Sequence, residues 1–156
     1  MRKHSVRGFT MIEVLIALFI FAVGMLGAGA LQLSSLNNNK NNLFRTQAIM
    51  LAEEIIDQMR ANPAAAKNGN KFESITVKKG TLPTRPSCAT TATGCSASDI
   101  ADFAIYNWGN SVATSLPEGT GTVTRGLEDT FTITISWREK DRGADTTSNY
   151  TVAVTL

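Results

Sequence analysis

The sequence predicts an α+β chain in which a long N-terminal membrane-spanning α-helix packs on a small antiparallel β-sheet. Three observations predict it. A short basic leader runs into residues 14–31, eighteen positions without a polar side chain. Beyond them, Phe44, Ala48, Leu51, Ala52, Ile55, Ile56 and Met59 recur at spacings of three and four, the period of a helix with one buried face. In the last third apolar and polar residues alternate, the period of a strand with one buried face.

The leader comes first. The chain has 156 residues, enough for one domain and an appended segment. Three of its fifteen basic residues, Arg2, Lys3 and Arg7, lie in residues 1–8, and none of its thirteen acidic residues do. Removing the leader leaves twelve basic residues against thirteen acidic ones, a near-neutral chain. That balance points away from nucleic acid as a partner. The leader charges act instead as a topology signal, because Lys and Arg before an apolar span stay cytoplasmic. The C-terminal part is then sent across the membrane.

Next comes Glu13, just inside the apolar run. A secretory signal peptide accounts for an apolar run, with Ala28-Gly29-Ala30 as its small-x-small cleavage site. A plain signal anchor of about 20 apolar residues accounts for it too. Neither accounts for Glu13. A carboxylate in a span costs up to about 2.5–3.5 kcal/mol at the centre, less towards the interface, and is retained where it has a partner. A cut between Gly8 and Phe9 would supply one. The new α-amino group at Phe9 would lie one helical turn from Glu13 on its own chain and could reach Glu13 of a neighbour. In a low dielectric such a pair can set the axial register between subunits.

One helix is expected from about residue 9 to residue 61. Gly24, Gly27 and Gly29 fall within its apolar part, either as ordinary glycines of a membrane helix or as a weak point that bends or unwinds in an assembly. The polar patch at residues 37–42 (NNNKNN) has poor helix propensity, so the middle is expected to fray. Pro63 ends the helix. At the α-helical rise it is roughly 80 Å long, against a hydrocarbon layer of roughly 30 Å. Its second half therefore stands outside the membrane, with its apolar stripe against a sheet.

Residues 62–98 read as loop, with a weak strand around residues 75–78. Cys88 and Cys95, a close pair on the exported side, read as a disulfide, with two unrelated thiols as the alternative. A metal site does not fit, because the only histidine, His4, is in the leader. Ser98 is the expected cap of a short helix over residues 99–115, whose apolar face is Ile100, Phe103, Ala104, Trp108, Val112 and Leu116. Pro117-Glu118-Gly119 ends it. Residues 121–125 form a short strand. Phe131, Ile133, Ile135 and Trp137 share one strand face, and Tyr150, Val152, Val154 and Leu156 another. Residues 138–148 are the loop between them. Trp108 and Trp137 read as core.

With these residues in hand, a resemblance is specific. Gly8-Phe9-Thr10-Met11-Ile12-Glu13-Val14-Leu15-Ile16-Ala17 after a short basic leader resembles the class III signal of type IV pilins and pseudopilins. The resemblance implies a pilin-like fold. It implies cleavage after Gly8 by a prepilin peptidase that also N-methylates Phe9, and Glu13 as the assembly carboxylate. Residues 51–62, the paired cysteines, Asp102-Phe103, Asn107-Trp108, Leu116-Pro117-Glu118-Gly119 and Ile135-Ser136-Trp137-Arg138 are similar to segments of PilV-type minor pilins. That implies a low-abundance subunit that helps prime pilus assembly at the inner membrane and sits at the filament tip, supporting twitching motility and attachment. The implied partners are the prepilin peptidase/N-methyltransferase, other minor pilins, the major pilin, the inner membrane and, in some assemblies, a tip adhesin. The expected divisions are a leader at 1–8, the membrane part of the helix at 9–36, its extracytoplasmic part at 37–61 and a globular pilin domain at 62–156.

A pseudopilin of a type II secretion system shares Gly8, Phe9 and Glu13 and is the second reading. Uptake of DNA has no basic patch behind it. An enzyme is not expected, and neither is a cofactor. Without the leader there is no histidine and no nucleophile-base constellation, and the carboxylate pairs Glu53-Glu54 and Glu128-Asp129 have no catalytic context.

Overall fold

The computed structural model describes residues 9–90, 94–141 and 144–156. Its contacts divide the chain into two compact units, residues 1–39 and 40–156. Helix α1, Met11–Ala61, contributes to both.

In the first unit α1 has no buried residue among those described. Apolar side chains stand exposed all round it, with Phe19 at 72% and Leu26 at 77%. A helix apolar on every side is stable only in an apolar medium or a protein core. By length and composition this one is able to cross a membrane. Gly24, Gly27 and Gly29 face open space, so no close packing within the chain requires them.

The polar patch at residues 37–42 does not fray; α1 is helical throughout. Good helix formers on both sides propagate hydrogen bonding through the weak stretch, since extending a helix costs far less than starting one. Within the second unit the Asn41 amide also donates to the Lys140 carbonyl at 2.9 Å.

In the second unit α1 buries the predicted stripe of Ala48, Leu51, Ala52, Ile55, Ile56 and Met59, with Phe44 half-covered. The helix stops at Ala61, and Pro63 opens a π-helical turn, Ala64–Asn68. Asn62 joins two elements at this corner. Its Nδ2 donates to the Ala97 carbonyl at 2.6 Å, and its Oδ1 accepts from the Ala65 amide at 3.3 Å.

Strand β1, Ser74–Lys78, fits the weak strand read from the sequence. Helix α2, Ala97–Ser115, starts two residues earlier than expected, and Ser96 rather than Ser98 caps it. The Asp99 amide donates to Ser96 Oγ at 3.2 Å, and the Ser96 amide donates back to the Asp99 carboxylate at 3.1 Å. Reciprocal bonding satisfies two orphan donors at once, which a cap at Ser98 could not do. The Ser96 hydroxyl also donates to the Asp99 carboxylate at 2.6 Å, and this bond, with the one from the Ser96 amide, holds the Asp99 carboxyl below the usual carboxylate range.

Strands β2 (Thr120–Arg125), β3 (Thr130–Asp141) and β4 (Ala144–Thr155) complete a four-stranded antiparallel sheet of order β1-β2-β3-β4. Ile133 lies between Val123 and Val152, in the middle of the buried face. That face meets α1 and α2 in one core, where Trp108, Phe72, Phe131, Ile55 and Met59 are fully buried. The segment expected as a loop, residues 138–148, is mostly strand, paired from Arg138↔Thr147 to Asp141↔Ala144. Residues 142–143 are outside the described residues. This end of the hairpin is polar on both faces, so hydrogen bonds hold it and no alternation announces it.

Candidate functional site

The sequence points to the N-terminal end of α1, and the helix start is built there. The Glu13 amide donates to the Thr10 carbonyl at 3.1 Å and to the Thr10 hydroxyl at 3.4 Å. Thr10 thus caps the helix, an N-cap role the sequence reading passed over, although Thr10-x-x-Glu13 has the spacing of a capping box. Glu13 falls in the first turn, where the helix macrodipole favours an anion. Part of the cost of placing a carboxylate here is therefore offset within the chain itself.

Phe9 lies two residues before the start of α1, and Glu13 lies in its first turn. Together with Val14, Ala17, Leu18 and Phe21 they line an open apolar hollow of about 440 Å³. Phe9 is 84% exposed. Among the described residues no cation pairs with the Glu13 carboxylate. Gly8 lies outside the described residues. A hollow that is apolar apart from one carboxylate at its rim can receive an apolar helix carrying a single positive charge.

Cys88 and Cys95 form a disulfide with Cα atoms 5.2 Å apart. It closes the loop immediately before Ser96, so the cross-link and the helix cap are adjacent in the chain. Trp108 and Trp137 are both core residues, at 0% and 2% exposure. Trp137 Nε1 donates to Glu139 Oε2 at 3.0 Å, and Ser148 donates to Glu139 Oε1 at 2.6 Å.

Around the second unit, ion pairs connect elements more than they form a site. Lys71 reaches Asp102 at 2.8 Å and ties the approach to β1 to α2. Arg125 pairs with Asp129 across the β2-β3 turn. Neither pair was legible as such, because their members are 31 and four residues apart with no periodic pattern. On α1, Asp57 and Arg60 form a solvated i,i+3 pair at 3.5 Å. Partial burial of Glu54 on the same helix pushes its carboxyl up. Among the described residues no three His, Cys, Asp or Glu side chains gather in one place.

Two family models match the chain. Residues 3–29 match the prokaryotic N-terminal methylation motif, and residues 30–106 match the model described as Tt1218-like, type IV pilin Tt1218. No curated protein and no solved structure matches it.

Proposed function

The chain belongs to the type IV pilin family, and on that premise we propose that it is a minor pilin, a structural subunit that helps prime pilus assembly and sits in or near the filament tip, where it supports twitching motility and attachment. The methylation motif implies processing by a prepilin peptidase and assembly with other pilins. An apolar N-terminal helix fits a pilin anchored in the inner membrane and later incorporated into a pilus.

The observation that carries the pilin chemistry of the proposal is the open apolar hollow shared by Phe9 and Glu13, without a cation for the carboxylate among the described residues. Residues 1–8 are the leader in this reading. The peptidase hydrolyses the Gly8–Phe9 bond and N-methylates the amino group of Phe9. That group stays positively charged and pairs with Glu13 of a neighbouring subunit, which offsets the cost of holding both charges in an apolar bundle. Residues 9–36 pack the filament core, residues 37–61 leave the membrane, and residues 62–156 form the head. The minor-pilin assignment rests on the downstream motifs that resemble PilV-type chains, from residues 51–62 to Trp137-Arg138. A pseudopilin of a type II secretion system would share the N-terminal chemistry and is the alternative.

Mass spectrometry of the intact chain and its N-terminus, from membranes and from sheared surface filaments, tests this. A chain beginning at methylated Phe9 in both fractions is the expected result. The same chain in membranes alone would favour the pseudopilin. A chain retaining residues 1–8, or cut near Ala30, would overturn the assigned processing. Glu13→Ala should leave the protein cut and membrane-bound but poor at co-purifying with other pilins, and normal co-purification would refute the pairing role.

A further inference from the structure

The two edges of the sheet are unlike. β1 has five residues and runs into Lys78-Lys79-Gly80, with a bridge from Lys78 to Thr81. Short length and lysines are how native sheets keep an edge from pairing with another chain. β4 has twelve residues, and residues 144–155 contain no Pro, Lys or Arg and one charge, Asp145. It carries none of the usual defences.

The hydrogen-bond phase shows what this edge offers. The Leu156 amide donates to the Asp129 carbonyl at 3.3 Å, and the Gly126 amide donates to the Thr130 carbonyl at 2.7 Å. With the antiparallel registers, these bonds make the even-numbered residues of β4 bond back to β3. Asp145, Thr147, Asn149, Thr151, Ala153 and Thr155 then turn their N–H and C=O groups outward. Among the described residues no backbone group pairs with them.

Side chains divide the edge in two. Thr146 and Ser148 lie on the helix-facing side of its first half, Tyr150, Val152 and Val154 on that of its second. Those three pack on the core yet remain half-exposed. A strand laid beside residues 149–155 would cover them with its own alternate side chains and satisfy the outward backbone groups. Arg45 shares a polar hollow with Asn149 and with Glu139, whose two carboxylate oxygens accept from Trp137 and Ser148, and it forms no ion pair among the described residues.

We propose that residues 149–155 of β4 are a docking edge for an extended segment of another polypeptide, apolar at every second position and acidic at the end that lies near Arg45. The segment adds as a fifth strand, with main-chain hydrogen bonds supplying the affinity and the alternate apolar positions the specificity. The inference stands on the sheet and on Arg45 of α1, and goes beyond the pilin assignment.

The test uses the full chain in detergent and a nine-residue probe peptide of alternating Val and Thr with Glu at one end. Hydrogen exchange should show the amides of Asn149, Thr151 and Ala153 exchanging freely in the chain alone and slowed when the peptide is added. A peptide N-methylated at alternate amides should fail to bind the unaltered protein. Thr151→Pro removes one outward N–H and should weaken binding by about tenfold, whereas Thr151→Ala should not. Protection of the Tyr150 and Val152 amides in Thr151→Pro checks that β4 stays paired to β3. Unchanged exchange with the peptide present, or equal binding of the methylated peptide, would overturn the proposal. Protection of the same amides in a dimer of the chain without peptide would also overturn it, by making a second copy the occupant.

Discussion

Trp108 Nε1 donates to the carbonyl of Leu51 at 2.8 Å, inside the core. One side chain of α2 is thereby bonded to the backbone of α1. A buried indole needs a partner for its N–H, and here the partner also fixes how the two helices meet. On its other side the ring leaves no room. A Cβ added at Gly121 of β2 would stand 2.6 Å from Trp108 Cη2.

Trp108→Phe should therefore destabilise the head by roughly 1–3 kcal/mol, from the lost hydrogen bond and the volume left empty. Chemical denaturation of the full chain in detergent, followed by near-ultraviolet circular dichroism, would measure it. No loss of stability would show that the bond is dispensable.

Gly121→Ala should cost a similar ~1–3 kcal/mol by overpacking against the indole. The same change made on a Trp108→Phe background should cost clearly less, since the smaller ring vacates that space. A double-mutant cycle reads the difference, and strict additivity would deny the contact.

Ser96→Ala should lower stability by about 1 kcal/mol, the usual cost of losing an N-cap. Ser98→Ala, two residues on and inside α2, should change little. Equal effects in thermal melts would argue against Ser96 as the cap.

Glu54 gives a pH signature. Partial burial raises its pKa in the folded chain, so ionisation favours unfolding. Its contribution is full below the unfolded value of about 4.3 and is lost as pH rises through the folded one. Glu54→Gln should match the unaltered chain near pH 3 and exceed it in melting temperature near pH 7. The gain is a fraction of a kcal/mol, because the side chain is half in water. A variant less stable near pH 7 would contradict the burial cause.

Removing the Cys88–Cys95 cross-link by paired Ser substitutions should cost about 2.5 kcal/mol, the loop entropy of so short a ring. Comparison of melting temperatures, with and without reductant for the unaltered chain, would check it. Insensitivity to reductant would place the bond outside the cooperative unit.

Much of this was legible because burial writes periodicity into sequence. Ala48 through Met59 show a helical stripe because one face meets the core, and Phe131 through Trp137 alternate because one face of β3 does. Where nothing is buried the signal fades. Residues 138–148 are polar on both sides, so their pairing rests on backbone groups that every residue carries. Residues 37–42 are helical against their own propensity, because the segments on either side propagate through them. Ser96 was within reach, since Ser96-x-x-Asp99 places a carboxylate at the third helical position and Ser98 has no such partner. At the N-terminus, Phe9 and Glu13 were legible from one expensive charge, while Thr10 beside them was overlooked.

The sheet order β1-β2-β3-β4 has a temporal meaning as well as a spatial one. Chains are made N-terminus first, and domains fold as units while they emerge. In this head each new strand arrives beside one already present, and none must wait for a neighbour still to be delivered. β4 comes last and takes its place without displacing anything. The position next to it, like the one outside β1, is left unfilled by the chain's own schedule among the described residues.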